Sequence, residues 1–335
     1  MIAHAQLPLQ PEAGAALRTI TLLDTSIAST NLGDQIIMEA VHDQLSDLMR
    51  DTFTHSVASH EWMGRKSRNL VRHADFAIAG GTNLLSSHMW IRSVWKLSPL
   101  DALLCNNVVL MGCGWYQFQK NPDPYTRWML SRVLSKKHLH SVRDTYTKDM
   151  LGAIGIDNVV NTGCPTLWAL FPETSRALPR QKGAHVVTTL NTYMPDRDAD
   201  RRLMEILRQH YRSVSIWIQT SSDYAYALAL DPNLKFISPS LQAFDALLTS
   251  AEDLDYVGNR LHGGIRALQK GRRAIIIEID NRAREMGRDF GLPTVERADF
   301  SRLAKMIEGP LEICVTPPRQ TINQWKSQFN GQDMA

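Results

Sequence analysis

The sequence predicts an α/β protein of two lobes, each built on a parallel β-sheet, with the lobes facing a central cleft. Short apolar segments alternate with amphipathic helical segments, and most apolar segments end at glycine or at a charged residue. This alternation is typical of parallel sheets that bind ligands at the carboxyl ends of their strands. The length of 335 residues favours two domains, and residues 171–183 (FPETSRALPRQKG), with two prolines, are predicted to link them.

The first lobe is predicted over residues 18–170, after a loose leader at 1–17. Its strands are expected at residues 18–23, 52–57, 75–79, 107–111, 138–142 and 158–162. The helix after the first strand has an apolar stripe that consists of Ile36, Ile37, Ala40, Val41, Leu45 and Leu48. Asp34 is expected at the N-cap of this helix, and Gly33 before it permits a tight turn. Further helices are expected near 125–135 and 146–154.

The second lobe is predicted over residues 184–316 and repeats the pattern of the first. Its strands are expected at residues 184–190, 214–219, 234–237, 274–279 and in a segment that begins at 255, with helices at 199–211 and 241–250. Both lobes are therefore expected to be Rossmann-like. The tail, residues 317–335, is predicted to form a helix around 322–329 that packs across the two lobes.

The composition indicates an ordinary globular protein, with 44% hydrophobic and 21% charged residues. The net charge of +3 is too small to predict a nucleic-acid partner. The four cysteines, at positions 105, 113, 164 and 314, are scattered and form no Cys-x-x-Cys pair. Neither a disulfide framework nor a metal site is therefore expected.

No targeting or membrane-spanning segment is recognisable in the sequence. Residues 1–17 lack a basic start followed by an apolar core, and no apolar run reaches the roughly 18–20 residues that span a bilayer. These observations favour a cytoplasmic protein, and they are compatible with peripheral contact at the inner face of a membrane. They do not predict an oligomeric state.

Residues 255–270 (DYVGNRLHGGIRALQK) concentrate reactive side chains in one strand–helix corner. A helix is expected to begin near Gly263 and Gly264, and its free N–H groups favour an anion. Arg260 supplies a guanidinium that holds oxyanions through two hydrogen bonds, and His262 can transfer a proton near neutral pH. Together they predict chemistry on a small, doubly anionic substrate. The alternative is a plain turn with a solvated arginine and a capping histidine.

Four short motifs follow one another along the chain. They are Asn31-Leu32-Gly33-Asp34, then Ala79-Gly80-Gly81 with Leu84-Leu85, then Ser141-Val142-Arg143-Asp144, and finally Asn259-Arg260-Leu261-His262-Gly263 followed by Asp280, Arg282 and Gly291-Leu292-Pro293. In this order and spacing, over about residues 25–293, the chain resembles the polysaccharide pyruvyl transferases, whose fold is like that of the GT-B glycosyltransferases. The glycine corners (GGTN and GCG) are thinner here, and the late turn reads TGCPTLW.

The resemblance implies a transferase that uses phosphoenolpyruvate as co-substrate and needs no further cofactor. The acceptor would be a sugar of a bacterial surface polysaccharide or of its lipid-linked precursor, and the product a cyclic pyruvate ketal across two hydroxyls. Such a site must hold phosphate and carboxylate, protonate the methylene carbon and deprotonate a sugar hydroxyl.

The resemblance also implies roles for particular residues. His262 is expected as the general acid, with a pKa raised by neighbouring anions, and Asp34 as a sugar-binding or base carboxylate. The donor-binding residues are expected to be Arg260, Leu261, Gly263 and Gly264 of the second lobe and Arg143 of the first. The residues expected on the acceptor side of the cleft are Asn31, Gly33, Gly80, Gly81 and Asn83.

Simpler interpretations of several of these residues stay open. Arg143 would form a surface ion pair with Asp144, Asp34 would only cap its helix, and the glycines would only shape turns. Arg282 is expected on a solvated face. Two other functions also stay open, because a fold does not determine a function. One is a nucleotide-sugar-dependent glycosyltransferase, and the other is a non-catalytic glycan-binding or assembly protein.

Overall fold

The computed structural model describes residues 17–50 and 52–329. Within these residues the chain forms two lobes, each a parallel β-sheet covered by helices. The prediction of an α/β fold with two parallel sheets is therefore confirmed. The predicted leader, apart from Leu17, and residues 330–335 of the tail lie outside the described residues.

The N-terminal lobe contains six strands. They are β1 (Arg18–Asp24), β2 (Thr52–Ala58), β3 (Phe76–Gly80), β4 (Val108–Met111), β5 (His140–Val142) and β6 (Val159–Asn161). The order β2-β1-β3-β4 is parallel throughout, and the parallel pair β5-β6 extends it, because the N–H of Gly112 donates to the carbonyl of Ser141 at 2.9 Å. The helices are α1 (Leu32–Arg50), α2 (Arg65–His73), α3 (Pro99–Leu104), α4 (Pro124–Val133), α5 (Thr145–Gly152) and α6 (Pro172–Ser175).

The C-terminal lobe contains one six-stranded parallel sheet in the order β12-β11-β10-β7-β8-β9. Its strands are β7 (His185–Thr188), β8 (Ser213–Trp217), β9 (Lys235–Ile237), β10 (Leu254–Gly258), β11 (Ala274–Glu278) and β12 (Thr294–Glu296). Its helices are α7 (Arg197–His210), α8 (Ser221–Leu230), α9 (Leu241–Leu248), α10 (Leu261–Gln269), α11 (Asn281–Phe290) and α12 (Phe300–Glu308). The chain order reverses between β7 and β10, where ligands of open α/β sheets bind.

The hydrophobic core is continuous between the lobes. Strands β3 and β10 are buried along their whole length, as expected for parallel strands covered by helices on both faces. Helix α1 of the first lobe packs on α9 and α10 of the second, and one buried cluster contains Ile36 and Val41 together with Phe244 and Ile265. This shared core holds the carboxyl edges of the two sheets opposite each other.

The chain returns to the N-terminal lobe at its end, through helix α13 (Arg319–Ser327). Trp325 is fully buried and packs edge-on against Trp168, with ring centroids 5.8 Å apart. Phe329 stacks on Phe76 of β3 at 4.8 Å.

The last sheet strand of the first lobe ends at Asn161 and the first of the second lobe begins at His185, on either side of the predicted linker. The domain limits themselves stay a prediction.

Candidate active site

A cavity of about 350 Å³ lies between the lobes at the carboxyl edges of both sheets. Most residues that line it follow the carboxyl ends of strands: β2, β3 and β4 in one lobe, and β7, β8, β10 and β11 in the other. Five residues predicted from the sequence line this cavity, namely Asn31, Asn83, Arg260, Leu261 and His262. The structure therefore brings the two lobes' predicted polar corners to one place.

Asn31 and Gly33 form a contact between the lobes. The side-chain oxygen of Asn31 accepts a hydrogen bond from Nε2 of Gln219 at 2.7 Å, and a Cβ at position 33 would lie 2.7 Å from that same nitrogen. A larger residue at position 33 would displace the Gln219 amide from this position. Helix α1 begins at Leu32, and Asn31 also accepts from the N–H of Gly33 at 3.1 Å. The expected N-cap role of Asp34 is wrong, because Asn31 occupies the position before the helix.

Asp34 lies in the first turn of α1, buried behind the cavity wall. Its Oδ2 accepts a hydrogen bond from Ser29 at 2.6 Å, and its Oδ1 lies 3.5 Å from the hydroxyl of Thr82, which lines the cavity. Burial raises the pKa of Asp34, although the hydrogen bond from Ser29 and the charge of His60 oppose that shift. The predicted carboxylate therefore lies one side chain away from the cavity.

Four glycines predicted to bind ligands pack closely against neighbouring side chains. They are Gly80, Gly81, Gly263 and Gly264, and none of them lines the cavity. Gly81 has φ of 61°, and a Cβ there would lie 2.2 Å from Ile37 of α1. A Cβ on Gly264 would lie 2.5 Å from Ile276 of β11. These glycines let α1 and α10 pack closely on the two sheets, which fixes the helix starts beside the cavity.

Arg260 precedes α10 and is held in a fixed orientation. Its Nε donates to the carbonyl of Leu190 at 3.1 Å, and its Nη2 donates to Thr220 at 3.2 Å and to Asp223 at 2.6 Å. Both members of the ion pair with Asp223 are buried. No described residue accepts a hydrogen bond from Nη1 of Arg260, and the residue lines the cavity. One edge of the guanidinium is therefore structural and the other is available to an anion.

Arg282 is part of the cavity wall, so its expected place on a solvated face is wrong. The side chain is 18% exposed, and Nε donates to Asp280 at 2.9 Å. Its guanidinium lies 5.4 Å from the ring centroid of Tyr193, and that of Arg260 lies 5.2 Å from the same ring. The phenol hydroxyl of Tyr193 also accepts a hydrogen bond from Arg282. One tyrosine thus contacts both cations.

Arg143 acts through Asn83 and does not line the cavity. It is 1% exposed, which contradicts the surface ion pair considered for it. Its Nη2 donates to Oδ1 of Asn83 at 2.6 Å, and its Nε donates to Asp144 at 3.2 Å. A Cβ on Gly114 would lie 2.1 Å from Nη2 of Arg143, so the GCG corner makes room for this guanidinium. Arg143 therefore orients Asn83, whose side chain reaches the cavity.

His262 lies in the first turn of α10 and is 5% exposed. Its Nε2 is 3.7 Å from the sulfur of Cys164. Burial, followed by the positive charges of Arg282 and Arg143, lowers the pKa of His262 to about 3. With these protein groups around it the imidazole is neutral at physiological pH. In the protein alone the pKa of His262 is thus lowered, chiefly by burial and then by the cations near the ring. The rise expected from neighbouring anions stays a prediction for the liganded site.

Four functional candidates were not identified from the sequence, and Tyr193, described above, is one of them. His60 follows β2 and lines the cavity from the first lobe. Arg92 and Tyr116 also line it, and the Arg92 guanidinium lies 4.8 Å from the Tyr116 ring centroid. His60 carries a usable signal, since it follows the carboxyl end of a strand. Arg92 lies in a long irregular segment and has no such signal.

Across residues 17–50 and 52–329, no three His, Cys, Asp or Glu side chains converge in a way that would hold a metal ion. In the same part of the chain, no helix has the length and apolar character needed to span a bilayer.

A sequence model of the family described as polysaccharide pyruvyl transferase matches residues 31–281. The chain belongs to this family. The match extends from the Asn31 corner to the start of α11, and it therefore includes both lobes and every cavity residue up to Asp280. The resemblance seen in the four motifs is thereby confirmed. No curated protein matches the chain in sequence.

Several solved structures are similar to this pyruvyl transferase family member at low identity. A complex of S. aureus MnaA with UDP has 11% identity and a TM-score of 0.48, and covers 95% of this chain and 98% of that one. The lipopolysaccharide outer core galactosyltransferase WaaB has 9% identity and a TM-score of 0.47, and the match covers 86% of this chain and 90% of that chain. A UDP-N-acetylglucosamine 2-epimerase has 10% identity and a TM-score of 0.45, and the match covers 95% of this chain and 97% of that chain.

The buried imidazole of His262 is expected to make the unliganded protein less stable in mild acid. Its pKa of about 3 in the folded protein lies below the ordinary value of 6.5, so between these limits only the unfolded chain binds this proton. Protonation of His262 in the unfolded chain should then lower the free energy of unfolding by about 1.4 kcal/mol per pH unit as the pH drops below about 6.5. Urea denaturation from pH 7.5 to pH 5 measures the slope.

His262→Gln supplies the comparison, because it removes the titrating group and keeps a polar side chain. Its stability should depend less steeply on pH than that of the wild type over this range. His140, whose pKa is lowered to about 4 by burial, is present in both proteins and contributes equally to both slopes. Equal slopes for the two proteins would contradict the buried neutral state of His262.

Proposed function

We propose that this protein moves the enolpyruvyl group of phosphoenolpyruvate onto two hydroxyls of a sugar, forming a pyruvate ketal and releasing phosphate. The observation that supports this proposal is the charge of the cavity. Arg92, Arg260 and Arg282 line it, and Asp280 is the one carboxylate among its described lining residues. Phosphoenolpyruvate carries close to three negative charges, and guanidinium groups hold planar oxyanions through paired hydrogen bonds.

The acceptor that we propose is a sugar of a bacterial surface polysaccharide or of its lipid-linked precursor. Membership of the polysaccharide pyruvyl transferase family supports a sugar acceptor. The exposed ring of Tyr193 and the half-buried ring of Tyr116 stand on opposite lobes at the cavity, where an apolar sugar face can stack. We further propose that the reaction needs no cofactor and takes place in the cytoplasm, where phosphoenolpyruvate is available.

The proposed acid is His262, activated by the donor itself. Phosphate and carboxylate groups placed between Arg260 and Arg282 add negative charge beside the ring, which raises the pKa of its imidazole. The imidazolium then gives its proton to the methylene carbon, C3, and the neighbouring carbon, C2, becomes cationic. The guanidinium groups hold the anionic ends of the donor so that C3 faces the imidazole.

In the remaining steps the two sugar hydroxyls add to C2, and each of them loses a proton. One sugar hydroxyl adds to C2 and loses its proton to a base, after which the bond between C2 and the phosphate oxygen breaks. The second hydroxyl adds to C2, loses its proton and closes the ketal. One of these two protons restores His262 and the other leaves with phosphate. The site must therefore contain a base as well as an acid.

We assign the base to His60 in preference to Asp34. His60 lines the cavity from the lobe opposite His262, whereas both oxygens of Asp34 have hydroxyl neighbours, Ser29 and Thr82, within hydrogen-bonding range. An acceptor held between the lobes can therefore meet a histidine on each side. The charge of His60 lowers the pKa of Asp34, so the two groups are close enough to interact.

The overall reaction is tested by supplying phosphoenolpyruvate with a panel of pyranosides. Phosphate release is expected, together with an acceptor mass that increases by pyruvic acid less water. His262→Ala should slow turnover by about a hundredfold to ten-thousandfold, because the acid is lost. His42→Ala, on α1 and outside the cavity lining, is the matched control and should keep activity. Stabilisation of the protein by nucleotide sugars but not by phosphoenolpyruvate would favour the glycosyltransferase alternative.

The role of Arg260 is tested by Arg260→Lys, which keeps a cation beside Asp223 but removes the planar fork. The loss of one charged hydrogen bond should weaken phosphoenolpyruvate binding by about 1.5–3 kcal/mol, measured by calorimetry. Arg266→Lys is the control on the same helix, because Arg266 pairs with Asp245 and does not line the cavity. Equal donor affinity in the two variants would remove Arg260 from donor binding.

The base assignment is tested by His60→Ala. Its kcat should fall by about a hundredfold or more while the donor affinity stays that of the wild type, because the base acts on the acceptor. Added imidazole should restore part of the activity by entering the space left by the side chain. Normal turnover in His60→Ala, combined with lost turnover in Asp34→Asn, would move the base to Asp34.

A further inference from the structure

Large apolar side chains are exposed together on the N-terminal lobe. Trp90 is 76% exposed and Ile91 is 82% exposed in a turn between β3 and α3. Trp62, in the segment between β2 and α2, and Leu100 and Leu103, three residues apart on α3, are exposed as well. We call these five residues the tryptophan patch. Single exposed apolar residues are ordinary, but a group of this size marks an interaction surface.

Contacts link the segments that carry the patch. The ammonium of Lys96 lies 5.7 Å from the ring centroid of Trp62, which links the segment before α2 to the segment before α3. Arg68 of α2 donates to the carbonyl of Met63 at 2.9 Å and to Asp101 of α3 at 2.5 Å. Asp101 is buried between the two exposed leucines of α3. The two loops and α3 therefore form one supported surface.

The surroundings of the patch are basic. Helix α2 (RKSRNLVRH) contains no acidic residue, and Arg65, Lys66 and Arg72 on it are exposed. In residues 59–73 and 88–104 the acidic residues are Glu61 and Asp101, and the latter is paired with Arg68. A groove of about 700 Å³ along α2 has no acidic residue among its described lining residues. The net charge of the whole chain is only +3, so positive charge is concentrated here.

The patch borders the mouth of the cavity. Arg92 and Val94 line the cavity, and Trp90 and Ile91 precede them in the same turn. His60 lines the cavity, and Trp62 follows it by two residues. The two loops therefore have one side in the cavity and the other in the exposed patch.

We propose that the tryptophan patch docks on an anionic bilayer surface. Exposed tryptophans beside lysine and arginine are the residues that occupy the interface between headgroups and acyl chains, and the basic helix α2 is complementary to anionic headgroups. Ile91, Leu100 and Leu103 favour a bilayer over a glycan, because aliphatic side chains fit acyl chains and do not stack on sugars. Docking would bring the cavity mouth to a lipid-linked acceptor, a consequence that rests on the proposed function.

The binding itself is tested with vesicles and does not depend on turnover. The full chain should co-sediment with vesicles of equal parts phosphatidylcholine and phosphatidylglycerol, and more weakly with phosphatidylcholine alone or in high salt. Trp90→Ser with Ile91→Ser, and separately Lys66→Glu with Arg72→Glu, should each weaken partitioning by at least about tenfold. Tyr224→Ser with Leu228→Ser, an exposed apolar pair on α8 of the other lobe, is the control and should bind like the wild type.

Three outcomes would overturn the proposal. They are absence of vesicle binding by the wild type, equal binding by the patch variant and the wild type, and a concentration-dependent dimer that the patch variant abolishes while vesicles remain unbound. Phosphate release with a water-soluble pyranoside is measured in parallel. Both variants should retain it, because none of the four substituted residues lines the cavity. Loss of vesicle binding with retained phosphate release thus separates the docking proposal from the proposed function.

Discussion

The buried ion pair between Arg260 and Asp223 is the constraint on which the site depends. Removing one partner of such a pair leaves an uncompensated buried charge, which typically costs about 3–5 kcal/mol. Asp223 also accepts a hydrogen bond from the N–H of Thr220 at 3.1 Å, at the start of α8, so the pair joins the corner after β10 to the helix after β8. The guanidinium plane is therefore oriented by the fold, and an anion meets a cation that needs no rearrangement.

Burial is the main reason that His262 is neutral, and Arg282, which lines the cavity, adds to it. Burial, Arg282 and Arg143 all lower the pKa of His262, so a proton on this ring is unfavourable until negative charge arrives. Under the proposed function this property couples the acid to the donor, because only a bound polyanion makes protonation favourable. The ion pair between Arg282 and Asp280 reduces the positive charge that the cavity presents.

The sheets were predictable because buried apolar runs in the sequence indicate their strands. The corner at Arg260 and His262 was predictable because charged residues directly follow one of these runs. Glycines were harder to interpret. The sequence shows glycine at positions 81 and 264, but only the fold shows that the close neighbours are Ile37 and Ile276. Arg282 was misplaced for a similar reason, since its contact with Tyr193 joins residues that are distant in sequence. Helix α2 was not predicted, because Val71 is its one buried residue and leaves no apolar stripe.

The shared core joins the two lobes beside the cavity. Helix α1 packs on α10 within one buried cluster, and Gln219 is hydrogen-bonded to Asn31 across the junction, so a large separation of the lobes would expose apolar surface. The segments that carry His60 and Arg92 have no such support along their exposed side, where Trp62 and Ile91 face solvent. A surface that covers these apolar side chains therefore acts on the same loops that line the cavity. Under the docking proposal, residues 60–62 and 90–92 contact the bilayer on one side and line the cavity on the other.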